Sequence, residues 1–269
     1  MWAGVAGGWA EHAESVDAMA APLTERMLEL SAPKPGERVL ELACGPGGAG
    51  LAAAERVTPG GEVVLSDVAG EMTAIASARA DAIGLSNVST RQLDLEQIEE
   101  PDGSYDVVLC REGLMLVPDP ARAAREIRRV LRPGGRVVLS VWGPRARNPW
   151  LGVLFDAVSA ETGAPVPPPG IPGPFSLDDA QRLAGLLSAA GLSAVAVKEV
   201  TFLQRDASFE EWWEKRTALA GPLAKVLASL PKDAAHAIRA RAREATRPYE
   251  TPAGLELPAL TLVASGQRD

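Results

Sequence analysis

A glycine-rich turn between two apolar segments constrains the fold of this chain more than any other feature. Residues 38–43 are mainly apolar, Gly45–Gly50 matches the pattern G-x-G-x-x-G, and residues 49–57 are rich in alanine. Because glycine accepts a positive φ and lets a ligand approach the main chain, this order predicts a buried strand, a nucleotide-binding turn and a helix. A tight strand–helix turn without a ligand is the alternative, since the chain has 26 glycines.

Predicted strands and helices alternate at short intervals up to residue 142. After the first unit we predict strands and helices at 62–67, 70–83, 88–93, 104–110, 119–131 and 136–142, of which the second and fifth are helices. The strands contain continuous runs of valine and leucine, which are typical of parallel strands buried on both faces. The alternation predicts βαβ units and a parallel sheet covered by helices on both sides.

We expect three regions in the chain: an N-terminal helical segment at 1–35, a Rossmann-like core at 36–142, and a C-terminal half at 143–269 that completes the sheet. In the last region the sequence first predicts a proline-rich loop or lid at 143–174. A helix follows, opened by the capping pattern Ser176–Asp179 and ended by Gly191. The remaining predicted elements are a strand at 194–202, lid helices within 208–247 and a strand at 257–264. The predicted fold class is therefore α/β, with a doubly wound, mostly parallel seven-stranded sheet, an N-terminal helical segment and a helical lid inserted in the C-terminal half.

Composition restricts the partners of the chain. The net charge is −8, and an acidic surface disfavours binding to a phosphate backbone, so a nucleic-acid partner is not expected. The N-terminal residues lack the basic start of a secretory signal, and no apolar run approaches the roughly 18 residues that would span a bilayer. Cys44 and Cys110 end apolar runs, which predicts two buried free thiols. We expect a soluble cytoplasmic protein without a membrane partner; the oligomeric state, monomer or homodimer, is left open.

An acidic residue stands where a nucleotide ribose would be bound. Asp67 ends the second predicted strand, 22 residues after Gly45. A carboxylate at this position accepts hydrogen bonds from the hydroxyls of an adenosine ribose. The glycine turn and Asp67 together predict a cofactor that contains adenosine, without deciding between NAD and S-adenosylmethionine. The alternative is that Asp67 caps the following helix.

Several segments resemble, in order, the motifs of class I S-adenosylmethionine-dependent methyltransferases. VLELACGPGG at 39–48 resembles motif I, VVLSD at 63–67 resembles motif II, residues 93–95 resemble motif III, and residues 104–111 resemble motif IV. LRPGGRVVL at 131–139 is similar to the family segment that precedes the fifth strand. The resemblance is nearest to the subgroup of quinone and natural-product methyltransferases, and it implies methyl transfer from S-adenosylmethionine to a small molecule.

The resemblance also implies roles for particular residues. It places Glu41 near the methionine ammonium, Asp67 at the ribose, Met72 and Asp94 at the adenine, and Arg111 at the methionine end or the substrate mouth. The full set of cofactor-binding residues that it implies is Glu41, Ala43, Gly45, Gly47, Asp67, Val68, Met72, Asp94, Leu95 and Arg111. Similar proteins fold an N-terminal aromatic segment over the cofactor, a role that would fall to Trp2 and Trp9.

Two residues depart from the family pattern. Ala43 stands where the family commonly has glycine, and we expect its methyl group to be tolerated at the end of a strand. Pro46 replaces a small polar residue and removes one main-chain N–H from the turn. Neither change abolishes the predicted cofactor site.

Two other functions are weighed against methyl transfer. An NAD(P)-dependent oxidoreductase would place a pyrophosphate near the Glu41 carboxylate, which would repel it, and the Tyr-x-x-x-Lys pair of short-chain dehydrogenases is absent. The chain also lacks the sequence motifs of metal sites and P-loops. A methyltransferase-like protein that binds the cofactor without catalysis is the other alternative.

No general base stands out in the sequence. His12, Glu112 and His236 are the candidates for removing a proton from the methyl acceptor. Each has a structural alternative, since both histidines suit a surface position and Glu112 suits a surface pair with Arg111. The sequence therefore identifies neither the acceptor nor whether its nucleophile is oxygen, carbon or nitrogen.

Overall fold

Eight strands form one sheet in the computed structural model, which describes residues 2–269. The strands are β1 (Arg38–Glu41), β2 (Glu62–Asp67), β3 (Val88–Gln92), β4 (Tyr105–Arg111), β5 (Leu131–Trp142), β6 (Ser193–Asp206), β7 (Glu250–Thr251) and β8 (Gly254–Gln267). Their order is β3-β2-β1-β4-β5-β8-β6, and the short β7 pairs only with β8. The first five strands are parallel, while β8 runs antiparallel to both β5 and β6. The predicted α/β class and the mostly parallel seven-stranded path are confirmed.

Within residues 2–269, ten α-helices surround the sheet. They are α1 (Ala6–Glu11), α2 (Ala13–Ser31), α3 (Gly48–Ala54), α4 (Gly70–Ala82), α5 (Pro120–Val130), α6 (Pro149–Thr162), α7 (Ala180–Ala189), α8 (Phe209–Leu219), α9 (Pro222–Ser229) and α10 (Lys232–Thr246). Leu23 and Met27 of α2 pack with α3 on one face of the sheet. Ile127 of α5 and Leu187 of α7 pack on the other face. Because apolar side chains cover both faces, the parallel strands are almost wholly apolar.

The prediction of a continuous loop or lid at 143–174 is wrong, because helix α6 occupies 149–162. Pro149 lies at the first helical position, where its missing N–H costs nothing, and Gly163 ends the helix in a left-handed conformation. Between them, Trp150, Leu154 and Val158 repeat at helical spacing and are buried. Six of the eight prolines in this segment lie at 165–174, after the helix has ended; Pro144 precedes it and Pro149 begins it.

The capping pattern was also placed too early in the chain. Helix α7 begins at Ala180, and the Asp179 carboxylate accepts a hydrogen bond of 2.7 Å from the Arg182 main-chain N–H. Asp179 is therefore the N-cap. The Ser176 hydroxyl accepts a hydrogen bond of 2.8 Å from the Gly173 N–H and stabilises the preceding turn instead. Gly191, with a φ of 86°, follows the helix as predicted.

A third hydrophobic cluster joins the helices of the C-terminal half. Trp150 and Phe155 of α6 pack with Trp212 of α8 and Ile238 of α10. The Trp212 indole N–H donates a hydrogen bond of 3.0 Å to the Trp150 carbonyl, so the polar group of this buried ring has a partner. The predicted lid helices therefore have a core of their own, which rests against β8. No helix among residues 2–269 combines the length and apolar character that would be needed to cross a membrane.

A buried ionic cluster anchors α8 to the end of β6. The Asp206 side chain is fully buried and lies 3.1 Å from both Lys215 Nζ and Arg216 Nη2. Gln204 Oε1 accepts a further hydrogen bond from Arg216 Nη2 at 3.2 Å. Because one carboxylate lies between two cations, its loss would leave charges in a poorly solvated place.

Replacing Asp206 with asparagine removes this shared charge. We expect Asp206→Asn to lower the free energy of unfolding by about 3–5 kcal/mol, measured by urea unfolding. The matched control is Arg205→Gln, which breaks an exposed ion pair with Glu256 and should cost at most about 1 kcal/mol. Equal urea midpoints for Asp206→Asn and the wild type would show that the cluster does not stabilise the packing of α8 on β6.

Candidate functional site

The site lies where the strand order of the sheet reverses. β1 has β2 on one side and β4 on the other, so the segments that follow β1 and β4 leave toward opposite faces of the sheet. In open α/β sheets this divergence creates a crevice at the carboxyl ends of the strands, where ligands bind. The glycine turn, Asp67 and Arg111 all lie at these carboxyl ends.

The glycine turn connects β1 to α3 and requires glycine for two separate reasons. Gly47 has a φ of 91°, a conformation that side chains rarely adopt. Gly50 has ordinary torsions, but a Cβ there would lie 2.1 Å from Leu65 Cδ2 and 2.6 Å from Glu41 Oε2. The turn therefore depends on Gly47 for its direction and on Gly50 for the close packing of α3 on the sheet.

Glu41 is a buried carboxylate at the end of β1. Its Oε2 accepts a hydrogen bond of 2.8 Å from the Gly50 main-chain N–H. Burial raises the pKa of Glu41 to about 7, while Arg111 and the Gly50 N–H oppose this shift. Its bonded partner is thus the main chain of the turn. A buried carboxyl group with a pKa of about 7 would favour a cationic ligand, because a nearby cation stabilises its charged form.

Asp67 links the end of β2 to the glycine turn. Its Oδ2 accepts a hydrogen bond of 3.0 Å from the Gly45 N–H, and its Oδ1 accepts one of 2.9 Å from the Ala69 N–H. Burial raises the pKa of Asp67, against the lowering effect of these main-chain donors. Helix α4 begins at Gly70 with Ala69 as its N-cap residue, so Asp67 is not the helix cap that the alternative supposed.

A shallow pocket of about 290 Å³ adjoins Asp67 and contains two of the residues that the resemblance implies. Its lining consists of Val68, Gln92, Leu93, Asp94, Gln97 and Glu99. Val68 is about half exposed and presents an apolar surface to this pocket. Asp94 Oδ1 accepts a hydrogen bond of 2.8 Å from the Glu96 N–H, which is turn chemistry and leaves Oδ2 free of bonds among residues 2–269. Leu95 is buried in the core beneath the pocket.

The N-terminal segment covers Met72. Trp2, Ala6 and Trp9 pack in one cluster with Ala69 and Met72. Met72 is thereby buried near the start of α4, five residues after Asp67. The two tryptophans thus pack the N-terminal segment against α4, and their role as a cover of the cofactor stays a prediction.

Arg111 is held by helix α2, an arrangement that no sequence pattern predicted. Its Nη2 donates to Asp17 Oδ1 at 3.0 Å and its Nη1 donates to Thr24 Oγ1 at 2.8 Å. The other Asp17 oxygen accepts from Arg79 Nη2 at 2.7 Å, and Arg79 Nη1 donates to the Pro46 carbonyl at 2.7 Å. Asp17 therefore fastens α2 to the glycine turn through one arginine and to the end of β4 through the other. These partners are 62 and 94 residues from Asp17 in sequence, so spacing could not reveal them.

The three candidate bases are not brought together. His12 lies at the junction of α1 and α2, and His236 is exposed on α10. Glu112 directly follows β4, with a φ of 57°, and neither carboxylate oxygen is exposed or hydrogen-bonded within residues 2–269. Burial raises the pKa of Glu112 to about 8. The predicted surface pair of Glu112 with Arg111 is therefore not formed.

Comparison with known proteins identifies the family that this geometry resembles. Residues 33–150 match the family model of a methyltransferase domain. Nocamycin O-methyltransferase of Saccharothrix syringae is 36% identical over 184 residues, which are 62% of this chain and 65% of that protein. The ubiquinone/menaquinone biosynthesis C-methyltransferase UbiE of Ectopseudomonas mendocina is 38% identical over 133 residues, 49% of this chain and 52% of that protein. The chain thus spans about half to two thirds of these relatives.

A solved structure shows the same fold. The YcgJ protein of Bacillus subtilis superposes with a TM-score of 0.62 at 21% identity, covering 91% of this chain and 97% of that one. The predicted resemblance to class I S-adenosylmethionine-dependent methyltransferases is confirmed by the family and sequence matches, and the predicted fold is confirmed by the superposition.

The residue that departs from the family pattern at position 43 is strained. Ala43 has a φ of 50°, in the left-handed region where a Cβ costs about 1–2 kcal/mol. The expectation that its methyl group is tolerated at a strand end is therefore only partly right, because the residue lies beyond β1 in a conformation that favours glycine.

Substituting glycine tests this strain. Ala43→Gly should leave the free energy of unfolding unchanged or raise it by up to about 1 kcal/mol, because the relief of strain offsets the added freedom of the unfolded chain. Ala52→Gly, at an exposed position of helix α3, should lower it by about 1 kcal/mol. Thermal unfolding of both variants gives the comparison, and equal losses in the two would disprove the strain at Ala43.

Proposed function

We propose that this chain transfers a methyl group from S-adenosylmethionine to a small-molecule acceptor. The observation that carries the proposal is the joint placement of Glu41, Gly45 and Asp67 at the reversal point of the sheet, within the region that matches the methyltransferase family. The two relatives are named for O-methylation and for C-methylation, so they do not single out one nucleophile among oxygen, carbon and nitrogen.

The donor set fits this cofactor chemically. S-adenosylmethionine carries a cationic sulfonium and a cationic ammonium, and the buried carboxylates Glu41 and Asp67 lie at the edge where these groups would be bound. Val68 offers an exposed apolar surface to the adenine, and Asp94 has a carboxylate oxygen free for its amino group. The NAD(P) alternative is disfavoured because a pyrophosphate would meet the Glu41 carboxylate.

Particular residues would then bind and orient the reactants. When bound, the cofactor supplies an activated methyl group, so the protein's work is orientation and exclusion of water. Asp67 would hold the ribose, and Glu41 would favour the ammonium end. Arg111, fixed by Asp17 and Thr24, would border the site where the acceptor enters.

The wider organisation belongs to the same proposal. Residues 1–35 would cover the cofactor, with Trp2 and Trp9 over Met72, and helices α6 to α10 within 143–269 would form the substrate lid on the core at 36–142. The cytoplasm is the proposed location, since Cys44 and Cys110 are buried free thiols.

Calorimetry with Asp67→Ala tests the cofactor site. We expect micromolar binding of S-adenosylmethionine and S-adenosylhomocysteine to the wild type, and a loss of about 10- to 100-fold in the variant, because bonds to two ribose hydroxyls disappear. Asp102→Ala, an exposed aspartate in the turn before β4, is the matched control and should bind like the wild type. Binding of NAD or NADP in place of both sulfur compounds would refute the proposal.

Proton release tests the role of Glu41. At pH 7 a carboxyl group with a pKa of about 7 is about half protonated, and a cation bound beside it favours the charged form. Binding of S-adenosylmethionine should therefore release up to about half a proton. Calorimetry in buffers of different ionisation enthalpy measures this number. Glu41→Gln should abolish the release, and a release that persists in that variant would assign it to another group.

A further inference from the structure

Glu112 has a strained main-chain conformation. It is the first residue after β4, and its φ of 57° lies in the left-handed region that favours glycine. Its main-chain N–H donates to both the carbonyl and the hydroxyl of Ser140 on β5, at 3.1 and 3.2 Å. The backbone is thus pinned by the neighbouring strand, and a glycine at this position would meet the same torsion without strain.

The side chain receives little compensation for this strain. Both carboxylate oxygens are buried, and neither meets a donor in hydrogen-bond geometry within residues 2–269. The Ser140 hydroxyl and Arg111 lower the pKa of Glu112, but by less than burial raises it. Arg111 is the neighbouring cation, but its guanidinium is engaged by Asp17 and Thr24. The other titratable neighbour is the Cys110 thiol, whose pKa burial raises to about 12, so it stays neutral. A buried carboxyl group without partners is costly, and two costs at one residue point to function and not to stability.

The place of Glu112 in the fold indicates what that function is. It follows β4, the strand next to β1 at the reversal point, so it stands at the same carboxyl edge as Glu41 and Asp67. His236 is exposed on the lid, and His12 lies in the junction between two N-terminal helices. Of the three candidate bases, Glu112 is therefore the one carried by the sheet at the site itself.

We propose that Glu112 removes the proton from the methyl acceptor, and that this acceptor is a weakly acidic hydroxyl compound, a phenol or an enol. The inference rests on the proposed methyl transfer. The acceptor O–H bond breaks and its proton passes to the Glu112 carboxylate. The electron pair left on oxygen, or on a carbon conjugated with it, forms the bond to the methyl carbon, and sulfur keeps the pair of the broken carbon–sulfur bond.

The acid strength of the acceptor follows from the environment of the base. Burial raises the pKa of Glu112 to about 8, so it holds a proton more firmly than a solvated carboxylate does. Proton transfer is most effective when the base is matched to the working pH and to the acid that it meets. Phenols and enols suit such a base, whereas an aliphatic alcohol is too weak an acid to lose its proton to it.

The premise about burial is testable without any acceptor. A carboxyl group whose pKa is higher in the folded than in the unfolded protein destabilises the fold increasingly as the pH rises from the unfolded value toward the folded one. Relative to Glu112→Gln, the wild type should therefore lose thermal stability between about pH 5 and pH 8, with no further change above. Glu62→Gln, at an exposed position at the opposite end of β2, should run parallel to the wild type. A difference that does not vary with pH would refute the burial.

The function is tested by methyl transfer to two phenols just above pH 8, where Glu112 is mostly ionised. Phenol itself is then neutral in solution and needs a base, whereas 4-nitrophenol is already ionised and needs none. With saturating S-adenosylmethionine, Glu112→Gln should lose about 100-fold or more in the rate of transfer to phenol and much less in transfer to 4-nitrophenol. Glu62→Gln should behave as the wild type with both phenols.

Each other outcome has a distinct meaning. An equal loss with both phenols, or no loss with phenol, would overturn the assignment of the base. Binding of S-adenosylhomocysteine without methyl transfer to either phenol would overturn the phenol or enol class and leave methyl transfer intact. If S-adenosylhomocysteine itself did not bind, the proposed function would fail, independently of Glu112.

Discussion

The hydrogen bond between the Gly50 main chain and the buried Glu41 carboxylate determines how the rest of the site is arranged. It joins the start of α3 to the end of β1 at 2.8 Å, and it forms only because Gly50 has no side chain between the helix and Leu65. Once α3 is fixed there, the chain must turn through Gly45 and Gly47, and Asp67 on the next strand accepts the Gly45 N–H. The absence of a side chain at Gly50 thus sets the positions of the Glu41 and Asp67 carboxylates.

Several residues at the carboxyl edge of the sheet are in environments or conformations that destabilise the folded protein. Glu41, Asp67 and Glu112 are all buried acids whose pKa is raised by their surroundings, and Ala43 and Glu112 both have left-handed torsions. By contrast, Asp206, the buried acid at the end of β6, lies between two cations. Buried acids that have no bonded cation, as at this edge of the sheet, are the arrangement expected of a ligand-binding site.

The sequence predicted the elements whose signal is local. The strands of the core were found because parallel strands buried on both faces are continuous apolar runs, and Asp67 was placed correctly because it ends such a run. Helix α6 was missed because the prolines at 165–169 dominated the interpretation of a segment whose apolar spacing is helical. The Asp17–Arg111 pair, the Asp206 cluster and the torsion of Glu112 depend on contacts between distant parts of the chain, and no pattern along the sequence records them.

A crystal structure of the complex with S-adenosylhomocysteine tests the central claim most directly. We predict that both ribose hydroxyls lie within hydrogen-bond distance of Asp67, that the adenine lies against Val68 with its amino group toward Asp94, and that the sulfur faces the end of β4. A ligand bound away from the glycine turn, or with its ribose out of reach of Asp67, would contradict it.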